Sequence, residues 1–157
     1  MTCNIHSIQE RFNSGEALEF LFFWGHTAEQ YMMAQKALLF GDSEMCAKIM
    51  AADNPRDYKA LGRLVRGFDP KVWDKRKFDI VCDGNRARFS QNPELAEFLL
   101  GTGESVLVEA SPYDGVWGVK RSMDDPLIRN PNHWLGQNLL GFALMETRDG
   151  LKTILSR

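Results

Sequence analysis

The sequence predicts an α+β fold: a mainly helical single domain with a small β-sheet. Several stretches carry good helix formers or apolar residues at helical spacing. Two others, Leu18–Trp24 and Ser105–Val119, have the apolar and aromatic density of strands. No repeat, linker or low-complexity tract divides the 157 residues, a length that fits one domain with a real core.

Residues 1–16 are weakly patterned and read as partly loop. Leu18–Trp24 (LEFLFFW) reads as a buried strand closed by Gly25. Ala28–Phe40 predicts a helix in which Tyr31, Ala34, Gln35 and Leu38 are neighbours. Gly41 ends it, and Asp42 or Ser43 caps the next helix, DSEMCAKIMAAD. Asn54-Pro55 opens a third helix running to about Val65, with Pro near its first turn; Gly67 and Pro70 then break the pattern. Val72–Phe89 is the longest periodic segment, with Val72, Phe78, Val81, Cys82, Asn85 and Phe89 near one face. Asn92-Pro93 starts a short helix stopped by Gly101 and Gly103. A β-hairpin over Ser105–Val119, a polar loop from Lys120 to His133 and a last helix from Trp134 to Leu151 complete the chain.

Apolar residues make up 44% and charged residues 25% of the chain, both ordinary for a globular protein. A net charge of −2 gives no global pull toward nucleic acid or an anionic membrane. Stable nucleic-acid binding is therefore not implied, and an anionic partner must be met by a local basic patch. No apolar run is long enough to span a bilayer, and the mixed-charge N-terminus reads as neither signal nor transit peptide. Cys3, Cys46 and Cys82 form neither a disulfide framework nor a zinc pattern, which fits a reducing cytoplasm. His6, His26 and His133 lack metal-ligand spacing, and no Gly-rich phosphate loop occurs. Neither a metal nor a cofactor is expected.

The chemistry gathers in SVLVEASPYDGVWGV. Strand alternation puts Val106, Val108 and Ala110 on one face, and Leu107 and Glu109 on the other. Buried there, Glu109 would hold a proton near neutrality; on a one-sided sheet it would face solvent, and the residues weigh these evenly. Asp114 precedes a glycine and reads first as a turn former, about two to one over a functional acid. Trp117, directly after, offers an indole to stack on a base, or simply core.

On the helix of Ala28–Phe40, Glu29 and Lys36 share a face two turns apart with Met33 between them. They are too far apart for an i, i+4 ion pair, and a solvated face explains both charges. The sharper alternative has Lys36 holding a phosphate or sugar oxygen and Glu29 facing the reacting bond, as the wall opposite Glu109. The basic run Lys71–Lys77 reads as a solvated face, or, with Trp73, Arg63 and Arg66, as a phosphate-binding surface. In WLGQNLLG, Gly136 and Gly141 thin a helix surface for close backbone approach, and Asn138 adds a two-sided amide. Helix–helix packing explains the glycines but not Asn138.

Taken together, the motifs resemble the NADAR superfamily, also called YbiA-like. They are F-F-W-G-H (Phe22–His26), A-E-Q-Y-M-M-A-Q-K-A (Ala28–Ala37), L-G-R-x-V-R-G-F-D (Leu61–Asp69) and F-S-Q-N-P-E-L (Phe89–Leu95). L-V-E-A-S-P-x-D-x-x-W-G (Leu107–Gly118) and W-x-G-x-N-L-L-G-F-A-L-M-x-x-R (Trp134–Arg148) come next in family order. The resemblance covers most of the chain after residue 20. It departs at two places. Relatives carry a further segment between F-W-G-H and A-E-Q-Y, where here Thr27 runs straight into Ala28. They also carry a second glycine after Trp-Gly, near the position of Lys120.

The resemblance implies an N-glycosidase acting on a small nucleotide-like substrate, either an early riboflavin-pathway intermediate or ADP-ribosylated guanine. It places Glu29, Lys36, Glu109, Asp114 and Trp117 in a polar pocket supported by Asn138. Glu29 and Asp114 would stabilise the oxocarbenium-like transition state or activate water, with Glu109 as buried partner or proton donor. Trp117 would stack on the base and Lys36 hold phosphate or ribose oxygens, with Trp73 as a further substrate contact. The rival expectation is a degenerate, non-catalytic domain that binds ADP-ribose or an NAD-related ligand.

Overall fold

The computed structural model of the chain describes residues 4–23 and 29–156. In chain order its elements are α1 (Ile5–Asn13), β1 (Phe20–Phe23), α2 (Glu29–Leu39), α3 (Ser43–Ala51), α4 (Pro55–Gly62), α5 (Pro70–Ser90), α6 (Pro93–Gly101), β2 (Val106–Glu109) and α7 (Leu139–Leu155). Two short 3₁₀ turns, Pro126–Arg129 and Pro131–His133, precede α7. The α+β class is as the sequence predicts. The chain forms two compact units, residues 1–24 with 85–157 and residues 25–84.

In the first unit, residues 4–16 are more ordered than their pattern predicts. Asn4 accepts from the Ser7 N–H at 3.0 Å, and the Ser7 hydroxyl accepts from the Asn4 N–H at 3.1 Å. This is a capping box built with Ser rather than Glu at its third position. Ile8, fully buried, anchors the helix. Gly15, at φ 84, turns the chain out of α1, and the Arg11–Glu16 ion pair at 2.8 Å braces the exit.

β1 and β2 form a two-stranded parallel sheet in the register Phe20↔Val106 to Phe23↔Glu109. A parallel pair requires a long crossover, and everything from α2 to α6 supplies it. The predicted hairpin over Ser105–Val119 is therefore absent: β2 pairs with β1, and its return segment makes a single backbone bond to it, from the Val119 N–H to the Glu109 carbonyl at 3.0 Å. Every residue of β2 is buried, whereas β1 is only half-buried, contrary to the buried strand expected there. Phe20 and Phe22 stack on one face of β1, where Trp134 meets Phe20 edge-on, while Leu21 looks outward.

The last helix starts later than predicted. Asn138 has left-handed backbone, φ 54 and ψ 36, which a right-handed helix cannot contain, so α7 begins at Leu139. Its buried face, Phe142, Ala143, Met145 and Leu151, joins Leu99, Val106, Val108 and Ile128 in the core of this unit. Arg148 is buried too, donating to the Thr102 hydroxyl and the Ser105 carbonyl and so tying α7 to the turn before β2.

The second unit packs α2, α3 and α4 around Ala34, Ala37, Ile49, Tyr58 and Val65. The buried face of α2 is Met32, Ala34 and Ala37; Tyr31 and Leu38, predicted as its neighbours, stay substantially exposed. Helix α4 stops at Gly62, short of Val65. Most of the periodic face of α5 is buried from Phe78 onward, with Val72 exposed.

Asp42 is the polar hub of this unit. Its carboxylate accepts from the Met45 N–H at 3.1 Å, capping α3, and from the Arg66 N–H and guanidinium at 2.9 and 3.0 Å. These bonds, the Arg66 side chain first, hold the carboxyl well below its ordinary value of 3.8. A depressed carboxyl contributes stability that is complete above the unfolded-state value and is lost as pH falls below it. Asp42→Ala is expected to lower the melting midpoint at neutral pH by about 3–8 °C. The difference between variant and wild type should shrink on acidification below about pH 4; thermal melts across that range check both.

Candidate functional site

Glu109 ends β2 and is 4% exposed, so the solvent-facing reading of this carboxylate is excluded. Every residue of β2 is buried, with β1 on one edge and α7 packed against the strand. The chain then leaves the sheet through Ala110 and Ser111, both buried, into the Pro112–Lys120 turn.

Asp114 organises that turn. Its Oδ1 accepts from the backbone N–H groups of Val116 and Trp117, each at 2.9 Å. The turn-forming role favoured by its sequence context is the one seen. Gly118 sits where a Cβ would come within 3.0 Å of the Glu109 carbonyl and 3.1 Å of the Asp114 carbonyl. A glycine thus lets the turn fold back onto the end of β2, bringing Glu109, Asp114 and the half-buried Trp117 into one cluster.

Lys120 comes next with φ 56, the left-handed region that glycine occupies without strain. A glycine in this region suits that backbone. Lys120→Gly is expected to raise the melting midpoint by about 1–3 °C, relief of left-handed strain being partly offset by unfolded-state entropy; differential scanning calorimetry checks it.

Asn138 lies beneath this cluster, fully buried. Its Oδ1 accepts from the Glu109 N–H at 2.9 Å and its Nδ2 donates to the Leu107 carbonyl at 3.0 Å. The amide therefore occupies the backbone of β2. Gly136 lies outside the helix rather than on its surface, against Gly115 and the Gly118 carbonyl. Gly141, inside α7, makes the anticipated close approach, facing the Leu107 carbonyl and the Asn138 amide. The N–H groups of Asn138, Leu139 and Leu140 donate to the carbonyls of Gly118, Val116 and Trp117 at 3.1–3.2 Å. The start of α7 is thus closed by the turn itself.

Glu29, Lys36 and Trp73 belong to the second unit. The shared face of Glu29, Met33 and Lys36 meets α4 instead of solvent. Glu29 pairs with Lys59 at 3.0 Å, with the Glu29 side chain 20% exposed. Met33 fills the space above Gly62, where any Cβ would strike its sulfur. The Lys36 Nζ donates to the Gly62 carbonyl at 2.8 Å and sits 4.3 Å from the centre of the Phe68 ring, which Phe40 meets edge-on. Burial, with the charge of Arg63 second, holds the Lys36 ammonium below its ordinary value of 10.5. Burial also raises the Tyr58 phenol above 10.0, with Glu29 adding to the shift and Lys59 opposing it.

Trp73 stands half-buried in the opening turns of α5; the ring beneath Lys36 is that of Phe68, not Trp73. Lys59 and Phe68 are the participants that sequence reasoning missed. Lys59 carries no local signal, because its partner lies on another helix. Phe68 does carry one, since Gly67, with φ 74, marks a turn directly before it. The junction between Thr27 and Ala28, where the extra segment of relatives is expected, lies outside the described residues. Among the described residues no helix is long and apolar enough to cross a membrane.

The chain has clear relatives among known proteins. The NADAR domain model matches residues 4–152. The chain is 48% identical to N-glycosidase R617 of Acanthamoeba polyphaga mimivirus over 91% of its own length and 81% of that protein. It is 32% identical to the riboflavin biosynthesis protein PYRR of Zea mays, over 91% of this chain and 22% of that one. The NMR structure of Escherichia coli YbiA superposes with a TM-score of 0.65 at 30% identity, covering 83% of this chain and 69% of YbiA; curated YbiA is likewise named an N-glycosidase. The chain belongs to the NADAR family, as an N-glycosyl hydrolase among relatives named N-glycosidases.

Proposed function

We propose that this protein hydrolyses the ribosyl N-glycosidic bond of a phosphorylated, nucleotide-like substrate, either an early riboflavin-pathway intermediate or ADP-ribosylated guanine. The observation that carries this reading is Glu109, a carboxylate 4% exposed at the end of a strand, with a turn bearing Asp114 and Trp117 folded onto it. The names of the relatives support the class of bond, and the maize protein's name supports the riboflavin branch.

Cleavage of such a bond passes through an oxocarbenium-like state, which a nearby carboxylate stabilises. Glu29, ion-paired with Lys59, takes the part of that ionised group or of the base that activates water. Glu109 takes the buried partner's part, passing a proton to the departing nitrogen. Asp114 adds negative charge and holds the turn that presents Trp117 to the base. Lys36, already stripped of much of its water, gains by taking a phosphate or ribose oxygen. Trp73 is assigned a peripheral substrate contact.

The alternative, a ligand-binding domain without turnover, is separated by pairing two measurements on the purified protein. Calorimetric titration reports binding of ADP-ribose, and a chromatographic assay reports free base released from each candidate substrate. Release of base supports hydrolysis; binding without release transfers the reading to the non-catalytic domain.

A further inference from the structure

The geometry points to Asn138 as a positioning residue for Glu109: its side-chain amide replaces a third strand along β2 and fixes the backbone from which Glu109 projects. This rests on the reading that Glu109 takes part in glycoside hydrolysis. Among the described residues β2 has one neighbour, β1, so its second edge carries backbone groups that a further strand would otherwise pair. Asn138 matches two of them at once, accepting from Glu109 N–H at 2.9 Å and donating to Leu107 C=O at 3.0 Å. An amide supplies an acceptor and a donor on one planar group at that spacing whatever the pH.

Three further features serve this contact. Asn138 adopts φ 54, a region that asparagine tolerates better than most residues, and the conformation ends the loop where the amide can reach β2. The carbonyl of Gly118 holds the Asn138 N–H at 3.1 Å, so the same turn that carries Asp114 fixes the clamp. Gly141 has no Cβ because the Leu107 carbonyl and the amide fill that space. Full burial of Asn138 leaves it no face for substrate. A carboxylate on a short two-stranded sheet would otherwise ride on a mobile edge, and misplacement by about 1 Å can cost on the order of 10²-fold in rate.

Two variants separate positioning from folding. Asn138→Gly keeps the positive φ and deletes the amide. Asn138→Asp keeps the acceptor for Glu109 but sets a second oxygen against the Leu107 carbonyl. Both are compared with wild type and Glu109→Gln for release of base from ADP-ribosylated guanine and from the riboflavin-pathway intermediate, below their melting midpoints. Hydrogen exchange at the Glu109 amide is followed in parallel. The expected result is a fall in kcat of at least about tenfold with KM held within about twofold, together with exchange at Glu109 faster by at least about tenfold. Asn138→Asp should regain activity as pH falls, because its protonated carboxyl again donates to Leu107. A raised KM with preserved kcat would make Asn138 a substrate contact, and wild-type kcat in a folded variant would remove its role; either overturns the inference. Wild-type turnover in Glu109→Gln would instead remove Glu109 from the chemistry, and no release by the wild type would remove the hydrolase reading, each taking this inference with it.

Discussion

Glu29→Gln lowers turnover by about 10²–10⁴-fold if this carboxylate stabilises the transition state or activates water. The substitution preserves volume and removes only charge. Lys59, left without that charge, has a side chain 42% exposed and stays solvated, so the fold should survive. Asp114→Asn should cost about as much where its charge matters, because Asn keeps the oxygen that accepts from Val116 and Trp117. The turn is retained, and lost activity then reports electrostatics. Steady-state rates of base release decide this, and unchanged turnover in both variants removes the assignment.

Gly141→Ala is the substitution with the largest expected effect on stability. A methyl group there meets the Leu107 carbonyl and both polar atoms of the Asn138 amide, none of which can retreat without breaking the β2 clamp. The expected cost is about 2–4 kcal/mol, overpacking and a strained buried hydrogen-bond network acting together. Urea denaturation with an unchanged slope and a lowered midpoint would agree. A variant within about 0.5 kcal/mol of wild type would show that the α7–β2 contact yields more easily than its geometry implies. Gly150→Ala on the same helix meets nothing within 4 Å and serves as the control.

The helices were legible because their signals are local. Pro55 and Pro93 open α4 and α6, Asp42 and Asn54 cap α3 and α4 with their side chains, and Gly41 ends α2 with φ 74. The sheet was legible only as two strands. Which partner each would take depended on a crossover of some eighty residues, and Asp114-Gly115 imitates a hairpin turn while capping its own backbone. Within the site, the acidity of Glu109 and its uncertain burial could be read from alternation, whereas the burial itself came from packing by α7. Asn138 stood out as unexplained by helix packing, but its positive φ and its bonds to β2 are tertiary facts. Lys59 was invisible for the same reason, since nothing in PRDYKALG distinguishes a solvated lysine from the partner of Glu29.

Mass spectrometry of the products reads hydrolysis of the N-glycosidic bond directly. Purified protein is incubated with each candidate substrate in water enriched in oxygen-18. Hydrolysis predicts free base together with a sugar phosphate or ADP-ribose carrying one heavy oxygen at the anomeric carbon, beyond any label gained by exchange of the free product. The yield should collapse in Glu29→Gln. Intact substrate after prolonged incubation with folded protein, for both substrates, would contradict the account.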